Sequence, residues 1–184
     1  MRGVLLAVGL ALLAGACGAV RRDQPTGSGA TTGAAVVQRV VDGDTIVVKL
    51  QQRSEKVRFI GVDTPESVKP GTPVQCFALE ASARTKVLLP AGTPVRLEGD
   101  VEQRDRYGRL LAYVYRDTDD LFVNLDLVQE GFAVPLTLPP NVAHAGEFAA
   151  SAASARRTGV GLWSSCPATP APSEPTTPQL PSSA

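Results

Sequence analysis

The chain has 184 residues and a mass of 19.2 kDa, which suffices for one folded domain with additional terminal segments. Its 18 basic residues balance its 18 acidic residues, so a few well-placed arginines, and not bulk charge, must hold any polyanion. Hydrophobic residues make up 43% of the chain, which excludes a largely disordered protein. Aromatic residues make up only 5%, which argues against a broad platform for stacking bases.

The N-terminus has the pattern of an export signal, which we predict at residues 1–16. Arg2 precedes an apolar segment at residues 4–13, and three small residues then lead into Cys17. The apolar segment is too short to span a bilayer, which needs about 20 residues. The segment is similar to a lipoprotein signal, in which the cysteine is lipidated, and it also fits ordinary signal cleavage. An exported protein is therefore expected, either lipid-anchored through Cys17 to the outer face of the cell membrane or secreted.

Composition divides the rest of the chain into three parts. Residues 17–34 are small, polar and rich in glycine, which predicts a flexible tether. Residues 168–184 are rich in proline, serine and threonine, which predicts a disordered tail. The folded domain is therefore expected at residues 35–167.

Cysteine and histidine are used sparingly in the predicted domain. Its two cysteines are Cys76 and Cys166, and outside the cytoplasm such a pair most simply forms a disulfide. The single histidine, His144, excludes two-histidine zinc motifs. We expect His144 to be a residue of a helix surface and not a catalytic base.

Hydrophobic periodicity and turn residues give the order of the elements. The pattern is three strands, a helix, two strands and two helices, and Asp42-Gly43 is a strong hairpin signal between the first two strands. The predicted strands are 35–41, 45–50, 56–62, 94–99 and 110–115, and the main predicted helices are 75–89, 122–130 and 144–157. The expected fold is α+β, a five-stranded OB-type β-barrel with three helices.

Charged clusters fall between the predicted strands, at residues 42–45, 63–66 and 104–109. Each cluster alone has a purely structural explanation: a hairpin turn for the first, a helix capping box for the second and a solvated turn for the third. The capping box is the weaker explanation for 63–66, because the prolines and glycine in 67–73 prevent a helix from following directly.

Together, the first two clusters suggest a cation site. Asp44 and Asp63 are carboxylates at the ends of different predicted strands. With the backbone carbonyl of Thr64 and several waters, they would supply the oxygen ligands that calcium prefers.

The remaining charged residues suggest phosphate chemistry. Arg58 and Arg109 carry planar guanidinium groups that match a phosphate, and Glu66 can accept a proton from water. An alternative for Arg58 is a structural role, with its stem along the apolar residues of its own strand. A cation, two arginines and a carboxylate are the groups that hydrolysis of a phosphodiester needs.

Five segments, VVDGDTIVV, VRFIGVDTPE, DRYGRLLAYVY, VNLDLVQEGFA and GLW, resemble the staphylococcal-nuclease-like (thermonuclease) family and occur in that family's order. The resemblance implies an OB-fold enzyme that uses calcium to cleave DNA and RNA, single-stranded or locally open, by attack of water on phosphorus. The products would carry a 3′-phosphate and a 5′-hydroxyl. The resemblance assigns metal binding to Asp44, Asp63 and Thr64, catalysis to Arg58, Glu66 and Arg109, and substrate binding to Arg106 and Tyr107.

The chain departs from the family in two places. Residues 132–139, after Gly131, contain no tyrosine where the best-known secreted member packs tyrosines near the nucleotide base. The segment between Glu66 and the first helix retains only Lys69 as a basic residue. Both changes predict weaker substrate binding.

Two other functions remain open from the sequence. One is a catalytically inactive OB-type module that binds nucleic acid or a protein, and the other is a structural envelope lipoprotein. Neither needs all six metal-binding and catalytic positions together, so that set favours the enzyme. We expect no obligate protein partner.

Overall fold

The structure is a computed structural model that describes residues 31–67, 71 and 73–166. The predicted signal peptide, Cys17, Lys69 and the predicted tail at 168–184 lie outside the described residues. The first strand begins at Thr31, four residues before the predicted start of the domain and inside the segment predicted as a tether.

Eight strands and four helices make up the described chain. The strands are β1 (Thr31–Val40), β2 (Thr45–Leu50), β3 (Arg53–Phe59), β4 (Val62–Asp63), β5 (Pro94–Glu98), β6 (Leu110–Arg116), β7 (Leu121–Phe122) and β8 (Val134–Pro135). The helices are α1 (Ala78–Leu88), α2 (Val123–Gln129), α3 (Ala145–Thr158) and α4 (Leu162–Ser165).

Five of the strands form a closed barrel. The strand order is β3-β2-β1-β5-β6 with antiparallel neighbours, and a parallel pairing between β3 and β6 closes the ring. β7 adds a short antiparallel pair at the edge of β6. The predicted five-stranded OB-type barrel with helices is therefore confirmed.

Alternation of side chains along the strands builds the core. Ile46 and Val48 on β2, and Val57 and Phe59 on β3, are almost completely buried, and β5 and β6 contribute further aliphatic residues. Successive strand residues point to opposite faces, so each strand gives every second side chain to the barrel interior.

The buried face of α1 differs from its apolar sequence pattern. Ala81, Thr85 and Leu88 face the core, whereas Leu79 and Val87 are 65% and 72% exposed. The small residues of α1 allow a close approach to the barrel, and the larger aliphatic residues remain outside.

A buried amide connects α2 to the barrel. The side chain of Asn124 donates to the carbonyl of Ile60 at 2.9 Å and accepts from the amide of Val114 at 2.9 Å. These bonds satisfy backbone groups at the barrel end, where an unpaired buried group would be costly.

His144 is not a simple surface residue. It precedes α3, and its ring packs against Tyr113 and Phe122, with ring centroids 4.5 and 5.0 Å away. Its Nδ1 lies 3.0 Å from Glu147, so the ring serves packing at the start of the helix.

The last described segment is covalently bound to the start of α1. Cys76 and Cys166 form the disulfide that the cysteine count predicts. Within the described ranges, no helix is long and apolar enough to cross a membrane.

Candidate active site

The turn between β1 and β2 lies against the segment that follows β4. A Cβ atom on Gly43 would lie 2.6 Å from the Thr64 hydroxyl, so only glycine fits at this close approach. The Thr85 hydroxyl, on α1, donates to the Gly43 carbonyl at 2.6 Å. The turn is thus held from two sides.

Asp44 joins two segments that are twenty residues apart. Its carboxylate accepts from the backbone amide of Thr64 at 2.9 Å, from the Thr64 hydroxyl at 3.0 Å and from the Thr45 hydroxyl at 3.0 Å. Asp44 is only 5% exposed. These contacts bring Asp44, Asp63 and Thr64 together at one end of the barrel.

Arg58 is engaged by the protein more fully than the sequence indicates. Its guanidinium donates to the backbone carbonyls of Phe59 and Val62 at 2.8 and 2.7 Å and to Asp63 at 2.8 Å. Its Nε lies 3.2 Å from Asp44. Arg58 thus holds the two carboxylates in place, and it also lines the cleft that they face. Its contact with a phosphate stays a prediction.

Asp63 closes β4, where its backbone pairs with Val134 of β8. Its side chain is about half exposed. Burial raises the pKa of Asp63, the charge of Arg58 opposes this, and the charges of Asp44 and Glu66 raise the pKa further.

Asp42 is a carboxylate of the same cleft that the sequence reasoning assigned only to the turn. Burial first, and then the charge of Asp44, raise the pKa of Asp42 from 3.8 to about 6. Its Oδ1 also accepts from the Asp44 amide at 3.2 Å. The doubled acid of the Asp-Gly-Asp pattern was the sequence signal for this crowding.

Asp105 holds Arg109 at the start of β6. The Arg109 Nε donates to Asp105 at 2.6 Å, and its backbone amide donates to the same carboxylate at 2.9 Å. The contact with Asp105 uses the Nε of Arg109 and not its terminal nitrogens. Those terminal nitrogens can therefore donate to a second acceptor. This role of Asp105 was not predicted, although its i, i+4 spacing to Arg109 was a signal in the sequence.

Tyr107 lies beside two guanidinium groups. Those of Arg106 and Arg109 lie 4.8 and 5.4 Å from its ring centroid, and Arg106 also donates to the Tyr107 hydroxyl at 2.7 Å. Tyr107 is 67% exposed, so the ring is accessible at the rim of the site.

All six predicted metal-binding and catalytic residues line one open cleft of about 530 Å³. Its lining residues are Asp42, Asp44, Lys56, Arg58, Asp63, Thr64, Pro65, Glu66, Tyr107 and Arg109. Arg58 and Arg109 meet there because β3 and β6 pair in parallel, with Arg58 opposite Leu111. Lys56 is a cation that sequence reasoning did not assign to the site.

A second hollow of about 540 Å³ adjoins the cleft and shares Arg58, Tyr107 and Arg109 with it. Arg106 lies on its wall, together with Leu111, Leu136 and Leu138. Leu136 and Leu138 belong to residues 132–139, the segment that contains no tyrosine. The hollow therefore offers aliphatic and not aromatic surface at these two positions.

The donor set of the cleft fits a hard cation in an open site. Two carboxylates, Asp44 and Asp63, and a backbone carbonyl at Thr64 are oxygen donors. Burial first, and then the charges of neighbouring acidic groups, raise the pKa of Asp42 and of Asp63. Among the residues that the structure describes, no three acidic, histidine or cysteine side chains form a metal cage by themselves. Backbone oxygen and water would have to complete the shell.

The barrel and this cleft define a class of protein, OB-fold proteins with a carboxylate-and-arginine site at one barrel end. The family model described as "Staphylococcal nuclease homologue" matches residues 56–165. The chain is 51% identical over 106 residues to the thermonuclease of Staphylococcus intermedius and 42% identical over 128 residues to that of Staphylococcus hyicus. It is also 39% identical over 130 residues to Endonuclease YncB of Bacillus subtilis (strain 168).

These matches cover 58%, 70% and 70% of this chain and 61%, 74% and 60% of the three relatives, in the same order. The chain therefore spans less than two thirds of the S. intermedius thermonuclease. The chain belongs to the staphylococcal nuclease family.

Proposed function

We propose that this chain is a calcium-dependent phosphodiesterase, an endonuclease that hydrolyses DNA and RNA. The observation that carries the proposal is the meeting of all six residues, drawn from three separate clusters of the sequence, in one cleft. Membership of the family and the names of the relatives, two thermonucleases and an endonuclease, support the same activity.

Asp44, Asp63 and the Thr64 carbonyl would hold calcium. When bound, the ion supplies positive charge that offsets the charge on the phosphate as water attacks. The contacts of Asp44 with Thr64 and Arg58 fix its carboxylate, so little reorganisation is needed for it to act as a ligand.

Glu66 would orient the attacking water and take its proton. The water oxygen bonds to phosphorus, the bond from phosphorus to the 5′ oxygen breaks, and that oxygen leaves as a 5′-hydroxyl after gaining a proton. The other product keeps a 3′-phosphate. Arg109, oriented through its Nε by Asp105, would donate from its terminal nitrogens to the phosphate oxygens.

Arg58 would act by orientation and charge. Four of its contacts are to Asp44, Asp63 and the backbone carbonyls of Phe59 and Val62, and a guanidinium has five N–H donors. Its charge still lies at the wall of the cleft, 12% exposed, next to where the phosphate would bind.

The hollow beside the cleft would take the base next to the scissile phosphate. Tyr107 and Arg106 would lie at its rim, and Leu136 and Leu138 would contact the base. Aliphatic contacts do not read base edges, and a base must leave a helical stack to enter. We therefore expect a substrate that is single-stranded or locally open, with little sequence preference.

We also propose that the protein is exported and acts on extracellular nucleic acid. The predicted signal at residues 1–16 and the disulfide between Cys76 and Cys166 support this location. Cys17 would attach the protein to the outer face of the membrane if it is lipidated.

Cleavage of plasmid DNA and of RNA, with calcium or with a chelator, tests the proposed activity. We expect cutting of both substrates with calcium and none with chelator. Full activity in chelator, or a requirement for zinc, would contradict the calcium site. Binding of a nucleic acid without cleavage would favour the inactive OB-type binding module.

A further inference from the structure

Gln75 and Glu66 are joined by two hydrogen bonds across nine residues of sequence. The backbone amide of Glu66 donates to the Gln75 side-chain oxygen at 2.8 Å. The backbone amide of Gln75 donates in return to the Glu66 carbonyl at 3.0 Å. This pair fixes the backbone from which the Glu66 side chain enters the cleft.

The residue after Gln75 is bound covalently to the far end of the chain. Cys76 forms a disulfide with Cys166, which directly follows α4. α4 is itself anchored, because the Leu162 amide donates to the Gly131 carbonyl at 2.9 Å. A Cβ atom on Gly161 would lie 2.4 Å from that same carbonyl, so the two backbones are in tight contact.

The disulfide also lies close to the segment that leads into Glu66. Gln75, Cys76 and Cys166 line a small hollow of about 380 Å³, and Asp63, Thr64 and Pro65 line the same hollow. The disulfide and the candidate metal-binding residues Asp63 and Thr64 therefore lie at the wall of the same hollow.

Gln75 is exposed, so water competes for the hydrogen bonds that it makes. Such bonds hold a backbone well only if one partner is already restrained. The disulfide provides that restraint, because it binds Cys76, the residue directly after Gln75, to Cys166.

We infer that Gln75 is a positioning residue for Glu66 and that the Cys76–Cys166 disulfide keeps Gln75 in place. The inference rests on the proposed function, because it takes Glu66 as the group that handles the water. A displaced carboxylate slows the chemical step, while the binding of the substrate by Arg106, Tyr107 and Arg109 is unchanged.

Variants of Gln75 test the first link. Gln75→Ala should lower kcat by about ten- to a hundredfold, the scale of a small misplacement of a catalytic group, with KM unchanged. Gln75→Glu keeps an acceptor oxygen and should recover most of that loss. Gln38→Ala is the matched control, since it removes an amide oxygen that accepts from the Ser54 hydroxyl at 2.8 Å on the barrel exterior. Wild-type kcat in Gln75→Ala would overturn the inference.

Reduction of the disulfide tests the second link. The experiment compares the full-length protein before and after reduction of the Cys76–Cys166 disulfide to two thiols. Both forms are assayed at a temperature where circular dichroism shows that both are folded. We expect reduction to lower kcat with KM unchanged, and reoxidation to restore it. If the disulfide acts through Gln75, its reduction should cost the Gln75→Ala variant much less than it costs the wild type.

The outcomes separate this inference from the proposed function. The role of the disulfide would be overturned if the wild type cuts normally after reduction. It would also be overturned if reduction lowers kcat by the same factor in the Gln75→Ala variant as in the wild type. A wild type that cuts nothing in calcium would instead overturn the proposed nuclease.

Discussion

Asp44 shows at the scale of one residue how the cleft is organised. One carboxylate oxygen accepts from the amide and the hydroxyl of Thr64, and the other contacts Thr45 and Arg58. A carboxylate with this many donors has one accessible orientation. Preorganised charge of this kind is the main means by which protein sites stabilise developing charge.

Asp42→Asn should stabilise the calcium-free protein at neutral pH. The pKa of Asp42 in the folded protein, about 6, lies above the usual 3.8, so the folded state favours its protonated form. Its contribution to stability is therefore complete below about pH 4 and is lost as the pH rises through about 6. Asparagine keeps the side-chain oxygen and removes the charge.

Thermal unfolding in chelator, at about pH 4 and about pH 8, measures the Asp42 effect. The variant should melt at a higher temperature than the wild type at the higher pH, with a small difference at the lower pH. Asp117→Asn, at an exposed position outside the cleft, is the control. Equal melting temperatures at about pH 8 would show that Asp42 is not destabilised in the fold.

Arg109→Lys should abolish most cleavage while the protein remains folded. Lysine keeps the positive charge and loses both the planar fork and the Nε that Asp105 holds. Loss of one such contact in the transition state costs about a hundred- to a thousandfold in rate. The measurement is cleavage of a short DNA strand in calcium.

Arg116→Lys is the matched control for Arg109, because Arg116 lies at the other end of β6 and pairs with Asp119. It should cut like the wild type. Comparable activity in both variants would remove Arg109 from the catalytic set.

At the scale of an element, α1 is both a packing helix and a support of the site. Its buried face contains Ser82 and Thr85, and the Thr85 hydroxyl reaches the turn of residues 42–44. Apolar periodicity could not predict this face, because Thr85 is buried with its hydroxyl bonded to the carbonyls of Gly43 and Ala81. Sequence alone does not show that the Gly43 carbonyl lies opposite Thr85.

Thr85→Val should destabilise the protein and weaken the response to calcium. Valine has nearly the same shape as threonine but leaves the buried Gly43 carbonyl without its 2.6 Å donor. An unsatisfied buried group costs about 1–3 kcal/mol. Urea unfolding and a calcium titration of activity measure the two effects.

Thr85→Ser separates the hydroxyl from the methyl group at this position. Serine keeps the donor, so it should retain a calcium response close to that of the wild type. If the valine variant also responds like the wild type, α1 does not hold the turn.

For the molecule as a whole, the sequence predicts the architecture better than it predicts the individual contacts between side chains. Strands such as β2, a β-branched segment bounded by turn residues, and a five-stranded OB-type barrel follow from pattern and turn residues. The parallel pairing of β3 with β6 that closes the barrel was not predicted. The two-residue pairing of β4 with β8 is too short to show any periodicity. The contacts of Arg58 with Asp44 and Asp63 depend on packing in space, so residue type alone could not predict them.

Export and anchoring concern the whole chain as well. We expect the wild type to fractionate with membranes after export and a Cys17→Ala variant to be recovered in the soluble fraction. The physical reason is that an acyl chain adds apolar surface, which prefers the bilayer. A soluble wild-type product that begins at an unmodified Cys17 would instead indicate ordinary signal cleavage.

The proposed function requires that Glu66 and its neighbours in the cleft perform hydrolysis and not only binding. Single-turnover cleavage of a short DNA in calcium, beside a binding titration of the same strand, tests it most directly. The wild type should bind and cut. Glu66→Gln should bind with similar affinity and cut at least about a hundredfold more slowly, because the amide cannot take the proton of water. Glu80→Gln, on the exposed face of α1, should behave like the wild type. A wild type that binds without cutting would show that the protein is a binding module, and a Glu66→Gln variant that cuts at the wild-type rate would show that Glu66 does not handle the water.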